Sequence, residues 1–119
     1  MTGRERGAAT VIMVAVIGVL FATTASAIML SGVVLASHRA RLAADLGALA
    51  GAARLQRAEP ADAACAEARR VARANHALLT ACSVQGMVVE VTVSVAPATW
   101  PSVAVARARA GPASTTVPR

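Results

Sequence analysis

The chain has 119 residues, a net charge of +6, 56% apolar residues and only 2% aromatics. That length holds one small domain at most, and a core drawn from Ala and Val buries too little area per residue to suit a soluble enzyme of ordinary build. Every basic residue is Arg, as a very GC-rich genome tends to produce, so the positive balance is a weak functional signal; nucleic-acid binding lacks a Gly-rich phosphate loop, stacking aromatics and a recognition helix, and anionic lipid heads or wall polymers suit the arginines better.

From Gly7 to Ser37 there is no charged residue, a run of 31 positions between Arg6 and His38-Arg39. As a helix it spans roughly 45 Å, more than the ~30 Å hydrocarbon core of a bilayer. Val11 to Phe21 is its most apolar stretch, and Ile28 to Leu35 continues it, so a transmembrane helix is expected. A rival reading starts from Ala25-Ser26-Ala27, an A-x-A pattern after an apolar stretch of signal-peptide length. Cleavage after Ala27 would release a small secreted envelope protein, but the apolar residues from Ile28 to Ala36 argue for retention. Gly18, Ala22 and Ser26 recur at spacing four, as do Gly32 and Ala36, a pattern that lets helices approach closely in lipid.

Beyond Ser37 the pattern stays helical. Leu42, Leu46, Leu49 and Ala53 fall on one face, with Arg39, Arg41, Arg54 and Arg57 around them. There is no Pro between Thr10 and Glu59, which predicts one helix from about residue 8 to 57, part in lipid and part projecting from it. Gly47 and Gly51 repeat the small-residue spacing on the projecting half. Asp45 follows Arg41 by four residues, which suits either an intrahelical pair or a contact with a neighbouring subunit.

Pro60 suits the first turn of a second helix running to Asn75, with Asp62 near its positive end. Ala64, Val71 and Ala72 give that helix a weak apolar face, with Arg69, Arg70 and Arg73 exposed. Three strands follow. Leu78 to Val84 is the first, Gln85-Gly86 turns the chain, and Met87 to Val95 alternates with Val89, Val91, Val93 and Val95 on one side. Pro97 and Pro101 bracket a turn around Trp100. Ser102 to Ala110 alternates again, with Val103 and Val105 set apart from Arg107 and Arg109. The fold class is therefore α+β: a long N-terminal transmembrane helix continuing into a domain of one further helix and a three-stranded antiparallel sheet. One face of that sheet needs a cover, which the second helix and the end of the first can supply. The segments read as a leader at 1–7, a membrane helix at 8–36, an extracytoplasmic domain at 37–110 and a loose tail at 111–119.

Cys65 lies in the second helix and Cys82 in the first strand. Outside the membrane a disulfide between them is favoured, closing a loop of about 17 residues for roughly 3 kcal/mol. Two free thiols, or a metal site completed by His76, are the alternatives, although two Cys and one His lack a fourth ligand. His38, His76, Asp62 and Glu67 read as solvated surface groups. No nucleophile–base constellation is present, so neither catalysis nor a cofactor is expected.

With these features in place, the chain resembles TadE/TadG-type pilin-like proteins, in particular the short actinobacterial TadE-like proteins associated with Flp (tight adherence) pilus assembly. Arg4-Glu5-Arg6-Gly7-Ala8-Ala9-Thr10-Val11 looks like the family's charged leader running through Gly into an apolar helix. Ala43-Ala44-Asp45-Leu46-Gly47-Ala48-Leu49-Ala50-Gly51-Ala52 resembles its helix beyond the membrane, and Arg107-Ala108-Arg109-Ala110 its closing strand. Cys65 and Cys82 sit where the short members place theirs. The resemblance implies a non-catalytic minor pseudopilin, or a pilus-assembly or secretion-apparatus component. A prepilin peptidase would cut between Gly7 and Ala8, and the helix would pack with other pilin-like or Tad-apparatus subunits as well as with membrane lipid. Ile12 departs from the family, which often carries Glu at this position, the fifth of the mature chain; permanent residence in the membrane is equally compatible.

Orientation pulls two ways. Arg4 and Arg6 precede the apolar run, whereas Arg39, Arg41, Arg54 and Arg57 follow it, which by itself favours a cytoplasmic C-terminal side. The disulfide and the family resemblance place that side outside. They take precedence, because indiscriminate Arg use weakens the charge count.

Overall fold

The computed structural model describes residues 3–97 and 101–113, and its principal extents are 87 × 37 × 17 Å. Most of the length is one helix, α1, Gly3–Gln56, of 54 residues. At 1.5 Å per residue this is about 80 Å of continuous helix. It starts five residues earlier than the sequence pattern gives, because Arg4, Glu5 and Arg6 are good helix formers and nothing in the leader breaks the chain. The other elements are α2 (Ala61–Ala74), β1 (Leu78–Gln85), β2 (Val88–Val95) and β3 (Ala104–Ala110). The turn expected around Trp100 falls largely on residues 98–100, which lie outside the described residues, as do 114–119 of the expected tail and 1–2 of the expected leader.

Along the apolar half of α1 the side chains face outward, with Val11, Leu20, Phe21 and Leu30 each 60% exposed or more. This helix is long and apolar enough to cross a membrane, by length and composition. Its hydroxyls are all but absorbed by the helix itself. Thr10 donates to the Arg6 carbonyl, Thr23 and Thr24 to that of Leu20, Ser26 to that of Ala22 and Ser31 to that of Ala27, at 2.6–2.9 Å. A hydroxyl bonded to the preceding turn needs no water, which is the condition hydrocarbon imposes.

Both helices end without Gly. Ala58 (φ 61°) and His76 (φ 57°) take the left-handed conformation just past α1 and α2. Glu59 and Ala58 then donate to the carbonyls of Arg54 and Leu55, and Ala77 and His76 to those of Ala72 and Arg73. Each pair of bonds closes a Schellman cap, which satisfies carbonyls the helix leaves open. The turn from β1 to β2 places Gly86 at φ 60°, where a side chain would be strained.

The sheet has the order β1-β2-β3 and is antiparallel throughout. Leu78 pairs with Ser94 and Gln85 with Val88 across β1 and β2, with an irregularity between Leu79 and Ala81. Val89 pairs with Ala110 and Val95 with Ala104 across β2 and β3. Val89, Val91, Val93 and Val95 point into the core, as the alternation predicts. β3 corrects the sequence reading. Residues 105, 107 and 109 share parity, so Val105, Arg107 and Arg109 lie together on the outer, exposed face, while Ala106 and Ala108 are buried; Val103 precedes the strand.

The inner face of the sheet is covered by α1, and α2 packs against α1 and β1. The face that α1 turns to the sheet and α2 is not its leucine face. Leu42, Leu46 and Leu49 are 53%, 38% and 60% exposed, and Ala53 is exposed with them. The buried face is Ala36, Ala40, Ala43, Ala44, Ala48, Ala52 and Leu55, with Gly47 and Gly51 between. Among the described residues the core is therefore mainly Ala, four Val of β2 and Leu55. Small side chains win here because they let the helix axes and the sheet approach closely. Each buried methyl contributes only about 0.8 kcal/mol, so the domain depends on close packing and on its cross-link.

Candidate interaction surfaces

The residues singled out in sequence separate into three places. Gly47 and Gly51 lie on the face of α1 that meets α2. A Cβ on Gly47 would sit 3.3 Å from the Ala68 carbonyl oxygen, and one on Gly51 would sit 3.1 Å from both the Ala64 carbonyl oxygen and Val89 Cγ1. Their small-residue spacing thus serves a helix pair within the chain. Gly18, Ala22 and Ser26 lie on the apolar half of α1, exposed, and among the described residues nothing beyond the helix's own backbone comes within 4 Å of where a Gly18 Cβ would stand. Gly7 and Ala8 are likewise exposed within the first turns of α1.

Cys65 and Cys82 form a disulfide that ties α2 to β1 across a sequence separation of 17. With both sulfurs bonded, neither the free thiols nor a metal site on these residues applies to this structure. The bridge anchors β1, which among the described residues is an outer strand paired with β2 alone.

Asp45 is exposed and makes no ion pair with Arg41 among the described residues. The two line an open groove between α1 and β3 together with Val105, Ala106 and Arg107. A second shallow depression lies on the outer sheet face among Ser83, Gln85, Val88, Glu90 and Arg109, and Glu90 faces Arg107 at 3.8 Å. These are polar surface features with charges of both signs.

Glu67 differs from the solvated group the sequence suggests. Its side chain is 16% exposed and lies between Arg70 and Arg54, and Arg54 also pairs with Glu59 at 3.2 Å. The Arg70 hydrogen bond, opposed in part by desolvation and aided by the charges of Arg70 and Arg54, holds the Glu67 carboxyl below its ordinary value. The same contact raises Arg70. The cluster joins the end of α1 to α2. Sequence gave no sign of it, because Arg54 and Glu67 meet only when the second helix folds back.

A further exposed surface is the outward leucine stripe of α1. Ile28, Leu35, Leu42 and Leu49 recur every seven residues and are 62%, 50%, 53% and 60% exposed. Leu46 adds the intervening position. Such a repeat supplies one of the two apolar positions of a helix-packing seam; the companion position runs Gly32, Arg39, Leu46 and Ala53. The line of leucines continues from the apolar half of α1 onto the half that carries the domain, on the side away from α2 and the sheet.

No family model matches the chain. No curated protein matches it, and no solved structure does.

Proposed function

We propose that this chain is a non-catalytic, TadE-like membrane component of a pilus-assembly or secretion apparatus, a minor pseudopilin in kind. The observation that carries the reading is the unpartnered leucine seam of a helix that runs unbroken from an apolar span into a folded domain. Exposed leucines on the domain-bearing half are costly in water, and covering them would recover part of the roughly 1.5–3 kcal/mol that full burial of each such side chain is worth. A parallel helix of a neighbouring membrane subunit, held in the same bilayer, would cover Leu35, Leu42, Leu46 and Leu49 at once. The leader-like Arg4 to Val11, the post-span helix from Ala43 to Ala52 and the Cys65–Cys82 pair support the family assignment. The disulfide supports an extracytoplasmic domain, since such bonds persist in oxidising compartments.

The test is site-specific photo-crosslinking in native membranes. A photoreactive residue at Leu42 or Leu49 is expected to capture a helical membrane subunit, whereas one at Gly86, at the far turn, captures none. Absence of any adduct from both leucines refutes the packing role. Intact mass of the mature protein separates the processing routes. A start at Ala8 supports prepilin-type cleavage, an unprocessed start supports a permanent membrane subunit, and a start at Ile28 replaces this reading with a secreted envelope protein.

A further inference from the structure

The domain has a polarised lower end, and its position follows from three close approaches at Gly47 and Gly51 and the rise per residue of helix and strand. Ala64 meets Gly51 and Ala68 meets Gly47, so α2 descends α1 four residues for four, and Arg73 and His76 come level with Leu42 and Arg39. Val89 also meets Gly51. Val95 is six strand residues away, about 20 Å, which corresponds to roughly thirteen helical residues and brings the β2 end level with about residue 38. Leu78, paired with Ser94, and Val105, paired with the same residue, lie at that end, and Val103 lies just before β3 there.

This end is apolar and basic together. Among the described residues, the large hydrophobics that the domain exposes away from α1 are Leu78 (57%), Val103 (52%) and Val105 (66%) at this end and Met87 at the far turn. Arg39, Arg41 and Arg73 come to the same level with exposed side chains, as do His38 and His76, and Arg41 shares a groove with Val105. The domain's carboxylates begin at Asp45 and lie above it: Glu59, Asp62, Glu67 and Glu90. The helix also leaves no stalk. Burial begins at Ala36, one residue before the uncharged run ends at Ser37. Centred on that run, a ~30 Å hydrocarbon core takes about residues 12–32 and puts Ala36 roughly 6 Å beyond its edge, inside the headgroup layer.

We infer that the lower rim of the domain, Leu78, Val103 and Val105 with Arg39, Arg41 and Arg73, seats in the headgroup layer and gathers anionic phospholipid around the helix. This rests on α1 spanning a bilayer. The aliphatic side chains suit the boundary between headgroups and acyl chains, and the guanidinium groups suit lipid phosphates, with Asp45 the one carboxylate bordering the rim, in the groove it lines with Arg41 and Val105. Seating fixes the rotation and tilt of α1, and so the direction in which its leucine seam faces.

The experiment uses the full-length protein in nanodiscs of mixed phosphatidylcholine and phosphatidylglycerol. A nitroxide near the top of the acyl chain is carried in one sample by phosphatidylglycerol and in the other by phosphatidylcholine. Relaxation enhancement is read at the amides of Leu78 and Val105, with Gly86 as the far reference. Comparing two labelled lipids at the same residues cancels simple proximity. The phosphatidylglycerol label is expected to give at least about threefold the enhancement, one guanidinium contributing a factor of roughly five at an anionic surface. The combined variant Arg39→Gln, Arg41→Gln, Arg73→Gln brings the ratio to unity, whereas Arg57→Gln with Arg109→Gln leaves it unchanged. A ratio of one in the unaltered protein, or a preference that survives the triple variant, overturns the inference. Loss of all enhancement at Val14 and Val19 means that the helix is not in the disc, and overturns the spanning reading along with it.

Discussion

Opening the Cys65–Cys82 bridge is the most direct measure of how little else holds the domain. The cross-link closes a separation of 17 residues between α2 and β1. On the chain-entropy relation this loop contributes about 3 kcal/mol at 25 °C by restricting the unfolded chain. Against it stands a core made chiefly of Ala, with four Val and one Leu at its centre. A small domain has only a few kcal/mol of net stability, so the bridge supplies a large share of it. The assay is amide hydrogen exchange on the protein in lipid nanodiscs, comparing it with Cys65→Ser/Cys82→Ser. The amides of Val89, Val91 and Val93 report global opening of the domain, and they are expected to exchange faster by a factor of roughly 150, the equivalent of about 3 kcal/mol. Amides of Val14 to Leu20 should not change, since α1 makes its bonds internally there. Acceleration of less than about threefold at β2 would refute the reasoning, because it would show that Ala packing alone sustains the fold.

Other expectations concern single positions. Gly51→Ala gains about 1 kcal/mol of helix propensity but forces a methyl to within 3.1 Å of the Ala64 carbonyl and Val89, and overpacking of this kind costs about 1–3 kcal/mol. A net loss in β2 exchange protection is expected, whereas Gly18→Ala leaves the domain unaltered. Ala58→Gly should stabilise the end of α1 by about 0.5–1 kcal/mol, because Ala58 already holds a left-handed φ of 61° that favours Gly; slower exchange at Ala58 and Glu59 checks it. Glu67 contributes a pH dependence of definite sign. Its folded-state value lies below the ordinary 4.5, so its contribution is complete above about 4.5 and is lost as pH falls from there through the folded value. Acid unfolding followed through β2 amides should therefore lose part of its steepness in Glu67→Gln.

Sequence by itself determined the elements of this protein and their order. Thirty-one uncharged residues without Pro define a helix too apolar for water, and the strict alternation of Val89 to Val95 defines a strand with one buried face. Pro60 and Gly86 mark the breaks, because φ restriction and a left-handed turn act locally and need no partner. Tertiary structure alone decided which faces meet. Leucine periodicity marked an apolar face on α1, yet the core formed on the opposite, alanine face. Periodicity records where apolar residues fall around a helix, whereas close approach of α2 and the sheet rewards the smallest ones. The Arg54–Glu67–Arg70 cluster, the caps at Ala58 and His76 and the basic apolar rim at the foot of the domain were likewise hidden. Each joins residues distant in sequence, or holds a backbone angle that its residue type does not announce, and only the folded chain brings these together.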